Sequence, residues 1–487
     1  MKVRESKIYT LSTIKRNFIY NALLSLSHVI FPLITFPYVA RIILPTGIGE
    51  VVFIESICKY VILFSALGIP IYGVREIAKV KTDQIKLNRL FTELVLLNGM
   101  LTVVVLGLFI VSFLCIDVFS SDINFYILGC FLILSNVFTI EWYFQGIEQF
   151  KFITLRNLLV KTILTFLIFT LVKERSDVLI YFTIIVLGSV LNAIINFKYA
   201  LKIVRLDFKL DFKGLKRHVK PLFFIFSSIA FISIYTLLDT IMLGFMTNAE
   251  TVGLYSAGLK VSRIPIMFVG ALGLVLLPKL SEQFHNGEME EFKLMIQKSL
   301  QFVFTFSIPV IFFLLSLSHE AIVIFAGNNF IKSGSVLMIL SALSLLIGLS
   351  NIFGLQILTP MGKDKFLSYS VLLGVVVSVG LNLLLVPKYQ ENGAAWSNLI
   401  AEITVTAATF YFANKSIKIS FDWVFIFKNI VFALPLFLIP NVVSQLHMDT
   451  ITGLVISIVI SVVYFILIQL YVIKNTLIRN LKNSVLH

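Results

Sequence analysis

The chain has 487 residues, of which 58% are hydrophobic and 14% are charged, and its mean hydropathy is +0.96. Soluble domains carry about 25% charged residues, so this composition excludes a soluble enzyme and leaves no polar block for a large soluble head. The net charge of +14 does not indicate nucleic-acid binding, because Lys and Arg lie mostly in short gaps between apolar runs. The composition predicts an all-α polytopic membrane protein.

Apolar runs long enough to cross a bilayer, roughly 20 residues each, recur along the whole chain. Lys15 and Arg16 precede the first run, and no small-residue cleavage site follows it, which predicts a permanent helix rather than a signal peptide. We predict fourteen spans, at 17–40, 49–71, 91–115, 123–145, 152–172, 178–200, 221–246, 253–278, 299–318, 333–358, 367–386, 393–413, 425–445 and 451–473.

The polar segments between the spans indicate how the chain divides. The longest runs from Lys198 to Lys220 and separates six spans from eight. We therefore predict an N-terminal six-helix lobe at 1–200, a basic cytoplasmic linker at 201–220, a second six-helix lobe at 221–413, and two further helices with a cytoplasmic tail at 414–487.

The distribution of basic residues predicts the orientation in the membrane. With a cytoplasmic N-terminus, the cytoplasmic segments and the span ends beside them hold 31 of the 40 Lys and Arg residues. Such a bias over short loops orients helices during insertion, so both termini are expected in the cytoplasm. The basic residues assigned to the outer side are Arg41, Lys173, Arg175, Lys332 and Lys388.

Short similarities between the halves predict an internal repeat. The segment QGIEQF lies at the end of the fourth span and MGKDKF follows the tenth, and each places Phe four residues after Gly. The pairs are Gly146 with Phe150 and Gly362 with Phe366, offset by 216 residues. Lobes of six spans each insert in the same orientation, as in transporters with parallel repeats. We expect both glycines to adopt a backbone conformation that a Cβ disfavours.

Ionisable side chains near the middle of a span are functional candidates, because an unpaired charge there costs several kcal/mol. Four cations are candidate substrate-binding residues: Lys59, Lys161, Lys260 and Arg263. Three further groups are candidate cavity acids or coupling residues: Asp239, Glu402 and His28.

Each candidate also has a structural explanation. Glu55 lies one turn before Lys59, so an i,i+4 ion pair could neutralise this lysine. Lys260 and Arg263 are spaced i,i+3 in a span that contains no acid, so they must face water, an anionic ligand, or an acid on another helix, either Asp239 or Glu402. Pro265 predicts a broken or bent helix beside them. His28 fits an ordinary interior histidine.

Polar stripes in several spans favour a hydrated interior. Ser and Thr commonly join membrane helices, but these stripes also carry an ionisable group. One consists of Ser228, Tyr235, Asp239 and Met242, and another of Asn398, Glu402, Thr406 and Thr409.

Sequence motifs of enzymes are missing. The chain contains no GxxxxGK[ST] phosphate loop, no HExxH and no GxSxG, and its loops are short, so we expect neither an enzyme nor a bound cofactor. Three cysteines without CxxC spacing predict neither disulfides nor a metal site.

Several segments resemble the polysaccharide-exporter family of bacterial lipid-linked oligosaccharide flippases, the O-antigen (Wzx-type) transporters. They are FPYVARIILPTGIGEVVF from Phe36, GIPIYGVREIAK from Gly68, EWYFQGIEQFKFI from Glu141, LLDTIMLGFMTNAETVGLYSAGLK from Leu237 and LPKLSE from Leu277. The resemblance extends over about residues 10–480. One departure is Leu44, where the family commonly has Gly before the loop proline.

The resemblance implies a multidrug/oligosaccharidyl-lipid/polysaccharide exporter fold with two six-helix lobes that open alternately to the two sides of the cytoplasmic (inner) membrane. It also implies an undecaprenyl-diphosphate-linked repeat unit of O-antigen or capsule as substrate, a cation-lined cavity, and membrane lipids and other polysaccharide-assembly proteins as partners, with no nucleic acid. Lys59, Lys161, Lys260 and Arg263 match that cavity by position. The alternative is a drug or cation antiporter of the same superfamily, in which acids are expected to dominate.

Overall fold

The computed structural model describes residues 11–115, 123–207, 212–445 and 450–473. Within these ranges the protein is built from helices and contains no strand, which confirms the predicted all-α class. Eleven of the described helical segments are long and apolar enough to cross a membrane, and the protein is therefore a multi-pass membrane protein. The count of fourteen spans stays a prediction, because two of these segments, Ile19–Val80 and Asp364–Ser416, each extend over two of the predicted spans.

The first of two compact units contains the described residues of Met1–Gly47 and Val51–Ser233. Its helices are α1 (Leu11–Ala66), α2 (Ile69–Val80), α3 (Gln84–Cys115), α4 (Ile123–Thr139), α5 (Glu141–Gly146), α6 (Phe150–Leu171), α7 (Val178–Ala200) and the first part of α8 (Phe212–Met246). The predicted linker at 201–220 includes residues 208–211, which lie outside the described residues, and its end is already part of α8.

The second unit contains Ile48–Glu50 and the described residues of Ile234–His487. Its helices are the end of α8, then α9 (Ala249–His285), α10 (Met289–Ala326), α11 (Ser333–Leu340), α12 (Leu343–Asn351), a π-helix (Ile352–Leu358), α13 (Asp364–Ser416), α14 (Trp423–Ser444), α15 (Thr450–Leu467) and a second π-helix (Ile468–Val472). Residues 212–233, the first part of α8, therefore belong to the first compact unit.

Two long helices are interrupted where the sequence predicts a loop. In α1 the backbone leaves the helical region at Leu44 (φ 62°, ψ 178°), between the predicted spans 17–40 and 49–71. In α13 it does so at Gln390 (φ 49°, ψ −126°), between 367–386 and 393–413. Both residues have a positive φ, a backbone conformation that is strained for any residue with a Cβ atom. Each long helix therefore contains two predicted spans joined by a strained turn.

The aromatic residues after α4 form part of the core of the first unit. Trp142, Tyr143 and Phe144 are buried, and the Tyr143 ring packs edge-on against Phe91 at 4.9 Å between centroids. The short helix α5 that carries them lies close against α2. A Cβ at Gly73 of α2 would lie 2.5 Å from the Trp142 ring, so the close approach of the two helices requires glycine there.

The prediction for Gly146 is wrong, whereas that for Gly362 is confirmed. Gly362 has a φ of 66°, but Gly146 is the last residue of α5 and is not among the residues with positive φ. Glycine is needed at 146 for space, since a Cβ would lie 2.6 Å from Cγ2 of Ile77. The residue with positive φ in that turn is Glu148, at 62°. The internal repeat itself stays a prediction.

Candidate functional site

Lys59 forms the ion pair that its sequence spacing predicts. Its Nζ lies 2.8 Å from Oε1 of Glu55, one turn earlier on α1. The lysine side chain is 51% exposed and the glutamate side chain 27% exposed. The charge of Lys59 is therefore partly neutralised within its own helix, although about half of its side chain stays exposed.

Lys161 lies against α1 in the first unit. Its ammonium group donates to Nδ1 of His28 at 3.1 Å and to Oγ of Ser27 at 3.3 Å, and it lies 5.8 Å from the centre of the Phe31 ring. Because an ammonium group only donates, Nδ1 of His28 is the acceptor and its Nε2 carries the hydrogen. Two predicted candidates, Lys161 and His28, thus meet, and neither of the two acceptors that hold the lysine is an acid.

Asp239 is the centre of a buried polar cluster in the second unit. Its carboxylate is 3% exposed and accepts four hydrogen bonds, two on each oxygen. The described donors are Asn382 Nδ2 (2.7 Å) and Ser378 Oγ (3.0 Å) to Oδ1, and Asn398 Nδ2 (2.6 Å) and Tyr255 Oη (3.2 Å) to Oδ2. All four are neutral, so they fill the acceptor positions of the carboxylate without cancelling its charge.

Glu402 lies near the same cluster. It is 8% exposed and lies within interaction range of Asp239 and of the side chain of Tyr235. Glu402 is one turn after Asn398 on α13, so both project from one face of that helix. The two predicted acids of the second unit are therefore brought together by α8, α9 and both halves of α13.

The predicted cations of the second unit lie on α9. Lys260 is half-buried and Arg263 is exposed, one turn further along the helix. The helix is not broken at Pro265, because α9 continues from Ala249 to His285. Arg263 also acts electrostatically on Tyr255, the hydroxyl donor to Asp239, so positive charge lies near the buried carboxylate.

Charged groups that the sequence reasoning did not select occur inside the first unit. Arg156 of α6 is buried and paired with Glu141 of α5, and Glu93 of α3 accepts hydrogen bonds from His218 and Arg217 of α8. Arg156 lies inside the predicted span 152–172, so its position alone marks it as a candidate.

Metal ligation has no support in the described part of the chain. No group of three or more His, Cys, Asp or Glu residues there lies close enough to hold a metal ion. The Asp239 cluster contains a single carboxylate with amide and hydroxyl partners, a donor set suited to hydrogen bonding.

Comparisons with known proteins agree with this architecture. A family model described as Polysaccharide biosynthesis protein matches residues 14–284. A protein of Escherichia coli (strain K12) named as an O-antigen transporter is 26% identical over 411 residues, which cover 83% of this chain and 97% of that relative. A Bacillus subtilis (strain 168) protein named lipid II flippase MurJ is 26% identical over 147 residues, covering 30% of this chain and 27% of its own length.

Solved structures show the same fold. A lipid II flippase MurJ in an inward closed conformation has a TM-score of 0.71 at 18% identity, and the match covers 95% of this chain and 99% of that one. An inward-facing multidrug resistance MATE family transporter of the MOP superfamily has a TM-score of 0.62 at 13% identity, covering 79% and 93%. At these identities the likeness concerns the fold.

The helices define a multi-pass membrane protein, and its fold is that of the two solved transporters. The chain belongs to the polysaccharide biosynthesis protein family, because the family model matches more than half of its residues. The resemblance to polysaccharide exporters that the sequence segments indicate is thereby confirmed.

Proposed function

We propose that the protein is a flippase that moves an undecaprenyl-diphosphate-linked oligosaccharide, a repeat unit of O-antigen or capsule, across the cytoplasmic membrane. The match to a relative named as an O-antigen transporter over 97% of that relative's length is the observation that carries the proposal. The family match and the all-α membrane fold support it. Transport by alternating access, with both termini in the cytoplasm, is part of the proposal.

The chemistry of the substrate explains why the cations matter. A diphosphate carries about two negative charges, and moving them through a low-dielectric interior requires compensating positive charge. The first unit contributes Lys161, held by His28 and Ser27, and Lys59, which is partly neutralised by Glu55. The second unit contributes Lys260 and Arg263. We assign these four residues to the path of the diphosphate.

The acids of the second unit are assigned to coupling. Asp239 accepts four hydrogen bonds from neutral groups and lies near Glu402. A buried acid that is held only by neutral donors binds a proton or a small cation more readily than an acid already paired with lysine. The cluster joins α8, α9 and both halves of α13, so a change in its charge would alter the packing of these helices.

The two buried acids of the second unit are also compatible with a second candidate function, a drug or cation antiporter. Such a protein needs buried acids for its cationic substrate, and Asp239 and Glu402 are buried. The buried Arg156 and the half-buried Lys161 of the first unit argue against a cationic substrate there, because like charges repel.

Deletion of the gene in the source strain tests the proposed function. We expect lipid-linked repeat units to accumulate on the inner face of the membrane and surface polysaccharide to disappear, and expression of the wild-type chain to reverse both effects. Unchanged surface polysaccharide together with lowered drug resistance would favour the antiporter.

A further inference from the structure

Arg156 is a buried cation whose hydrogen-bonding capacity is largely unused. Its side chain is 3% exposed, and its Nη2 donates to Oε1 of Glu141 at 2.5 Å. Its Nε and Nη1 are fully buried and have no hydrogen-bond partner among the described residues. These two nitrogens carry three of the five N–H donors of a guanidinium group.

Burying a guanidinium group with unused N–H donors lowers the stability of the folded protein, so its burial needs a separate explanation. Nearly all buried polar groups in proteins are hydrogen-bonded, and a charged donor loses more than a neutral one when it leaves water without a partner. A partner whose role was only to neutralise Glu141 would not need to be so deeply buried, since the glutamate side chain is 32% exposed. The free donors of Arg156 therefore indicate that a further acceptor binds there.

The surroundings of Arg156 are electropositive. His28 is within electrostatic range of Lys161, Arg156 and Glu141, and Lys161 is within range of Glu141. With Nδ1 accepting from Lys161, the imidazole of His28 presents an N–H rather than a lone pair on its other side. The cluster of Arg156, Lys161, His28 and Glu141 thus contains two cations and one acid, with N–H donors in excess.

We propose that this cluster in the first unit is an anion-binding site for the diphosphate group of the lipid-linked substrate, with Arg156 as its principal ligand and Glu141 as the counterion in the unloaded protein. The proposal rests on the proposed function for the identity of the anion. Arginine suits the site because its planar group binds several phosphate oxygens at once, whereas lysine acts as a point charge. Glu141 competes for the same guanidinium group, which keeps the affinity low enough for release.

The burial of Arg156 also means that a ligand reaches it only after a conformational change. In this structure the guanidinium group is closed off from solvent, so a phosphate reaches it only after α5, α6 or the facing part of α1 moves. Binding and opening are thereby coupled, because the ligand interacts only with the open form.

The test measures binding by the full chain in nanodiscs of zwitterionic lipid, from the rise in thermal unfolding midpoint on addition of a ligand. The probes are undecaprenyl diphosphate, inorganic pyrophosphate, phosphatidylglycerol and glucuronate. The variants are Arg156→Gln, Arg156→Lys, Glu141→Gln and the double change Arg156→Gln with Glu141→Gln. Arg75→Gln is the matched control, because Arg75 is an exposed arginine of the same unit that also pairs with a glutamate, Glu76.

We expect undecaprenyl diphosphate to bind the wild type and pyrophosphate to compete with it. Arg156→Gln should weaken binding at least tenfold, Arg156→Lys by less, and Arg75→Gln not at all. Glu141→Gln should bind the diphosphate more tightly than the wild type, because the competing carboxylate is gone. The double variant should still bind the diphosphate weakly, although neither charge of this ion pair is left unpaired in its folded state.

Three results would overturn the proposal: equal binding by Arg156→Gln and the wild type, restored binding in the double variant, or competition by phosphatidylglycerol or glucuronate but not by pyrophosphate. The second result would show that Arg156 only neutralises Glu141. These outcomes are separable from failure of the proposed function. If the wild type complements the deletion strain while Arg156→Gln binds normally, only the assignment of Arg156 fails. If Arg156-dependent binding is measured but surface polysaccharide does not depend on the gene, the flippase function fails.

Discussion

Glu148 and Gly362 occupy the same position in two helix caps. Each follows a helical segment with a positive φ, 62° and 66° respectively. In the first cap Gln149 N donates to Phe144 O and Glu148 N to Gln145 O, and in the second Lys363 N donates to Leu358 O and Gly362 N to Thr359 O. This is the Schellman pattern, which favours glycine at that position.

The first prediction concerns these caps. Gly362→Ala should lower the free energy of unfolding by about 1 kcal/mol, because a Cβ strains the left-handed backbone. Packing does not contribute, since no atom lies within 4 Å of the added Cβ. Glu148→Gly should stabilise its cap but lose the 2.6 Å ion pair with Lys81, giving a smaller net change.

Gly380→Ala is the control for this measurement, because Gly380 also has open space around its Cβ position but lies inside helix α13. There alanine should be neutral or stabilising by up to about 1 kcal/mol. Unfolding in detergent, followed by circular dichroism, measures all three variants. A loss of stability in Gly380→Ala equal to that in Gly362→Ala would show that backbone strain is not the cause.

The second prediction concerns Leu44, which has backbone angles that glycine adopts far more readily. Leu44→Gly should raise the free energy of unfolding by about 1 kcal/mol, because it removes the strain at the cost of one half-buried side chain. Leu44→Ala, which loses the side chain but keeps the Cβ, should be no more stable than the wild type. Thermal unfolding of the two variants separates strain from packing, and greater stability of the alanine variant would refute the argument.

The position of the turn at Leu44 could be predicted from the sequence, but its strain could not. The gap between the apolar runs 17–40 and 49–71, with Pro45 inside it, marks an interruption of the helix. The family similarity indicates glycine there, and the leucine of this chain gives no sign of the angle it must adopt. Local sequence thus shows where a helix is interrupted, whereas the geometry depends on how the two halves of α1 pack.

In the candidate site, too, the sequence predicts local pairs of residues but not the contacts that depend on tertiary packing. The ion pair of Glu55 and Lys59 follows from their spacing on one helix. Asp239 and Asn398 were each predicted to lie on a polar stripe, but their hydrogen bond joins residues 159 positions apart and depends on tertiary packing. The free donors of Arg156 are a consequence of burial, which a single sequence does not reveal.

The third prediction concerns orientation and rests on the distribution of basic residues. In a background without Cys58, Cys115 and Cys130, a cysteine introduced between Asn441 and Thr450 should react with an impermeant maleimide added to whole cells. A cysteine between Lys202 and Lys220 should react only after the membrane is opened. Residues 446–449 and 208–211 of these loops lie outside the described residues, so labelling is the direct measurement. The reverse pattern would invert the predicted topology.

The fourth prediction concerns the donors to Asp239. Asn382→Ala removes the 2.7 Å hydrogen bond to Oδ1 inside the core, and a buried carboxylate with an unfilled acceptor position should cost about 2 kcal/mol of stability. Thr404→Ala, the control on the same helix, removes only a hydrogen bond to its own helix at Ile400 and should cost much less. Asp239→Asn combined with Asn382→Ala should recover stability relative to Asn382→Ala alone. Equal losses in Asn382→Ala and Thr404→Ala would contradict the importance of the cluster.

The last prediction concerns Lys260 and Arg263. If they bind the diphosphate, Lys260→Arg should keep most transport, Lys260→Ala should lose most of it and Lys260→Glu nearly all, with normal abundance of the protein in the membrane. Arg263→Ala should also reduce transport, and Lys279→Ala, which removes an exposed cation from the end of the same helix, should not.

The alternative to substrate binding is a structural role, in which Lys260 only neutralises Asp239. Lys260→Ala leaves the four described hydrogen-bond donors of Asp239, all of them neutral, in place. Combining Lys260→Ala with Asp239→Asn should therefore not restore surface polysaccharide. Surface polysaccharide and membrane abundance are measured together in the complemented deletion strain. Rescue of both by the double variant would show that Lys260 has a structural role, and its assignment to the substrate path would be wrong.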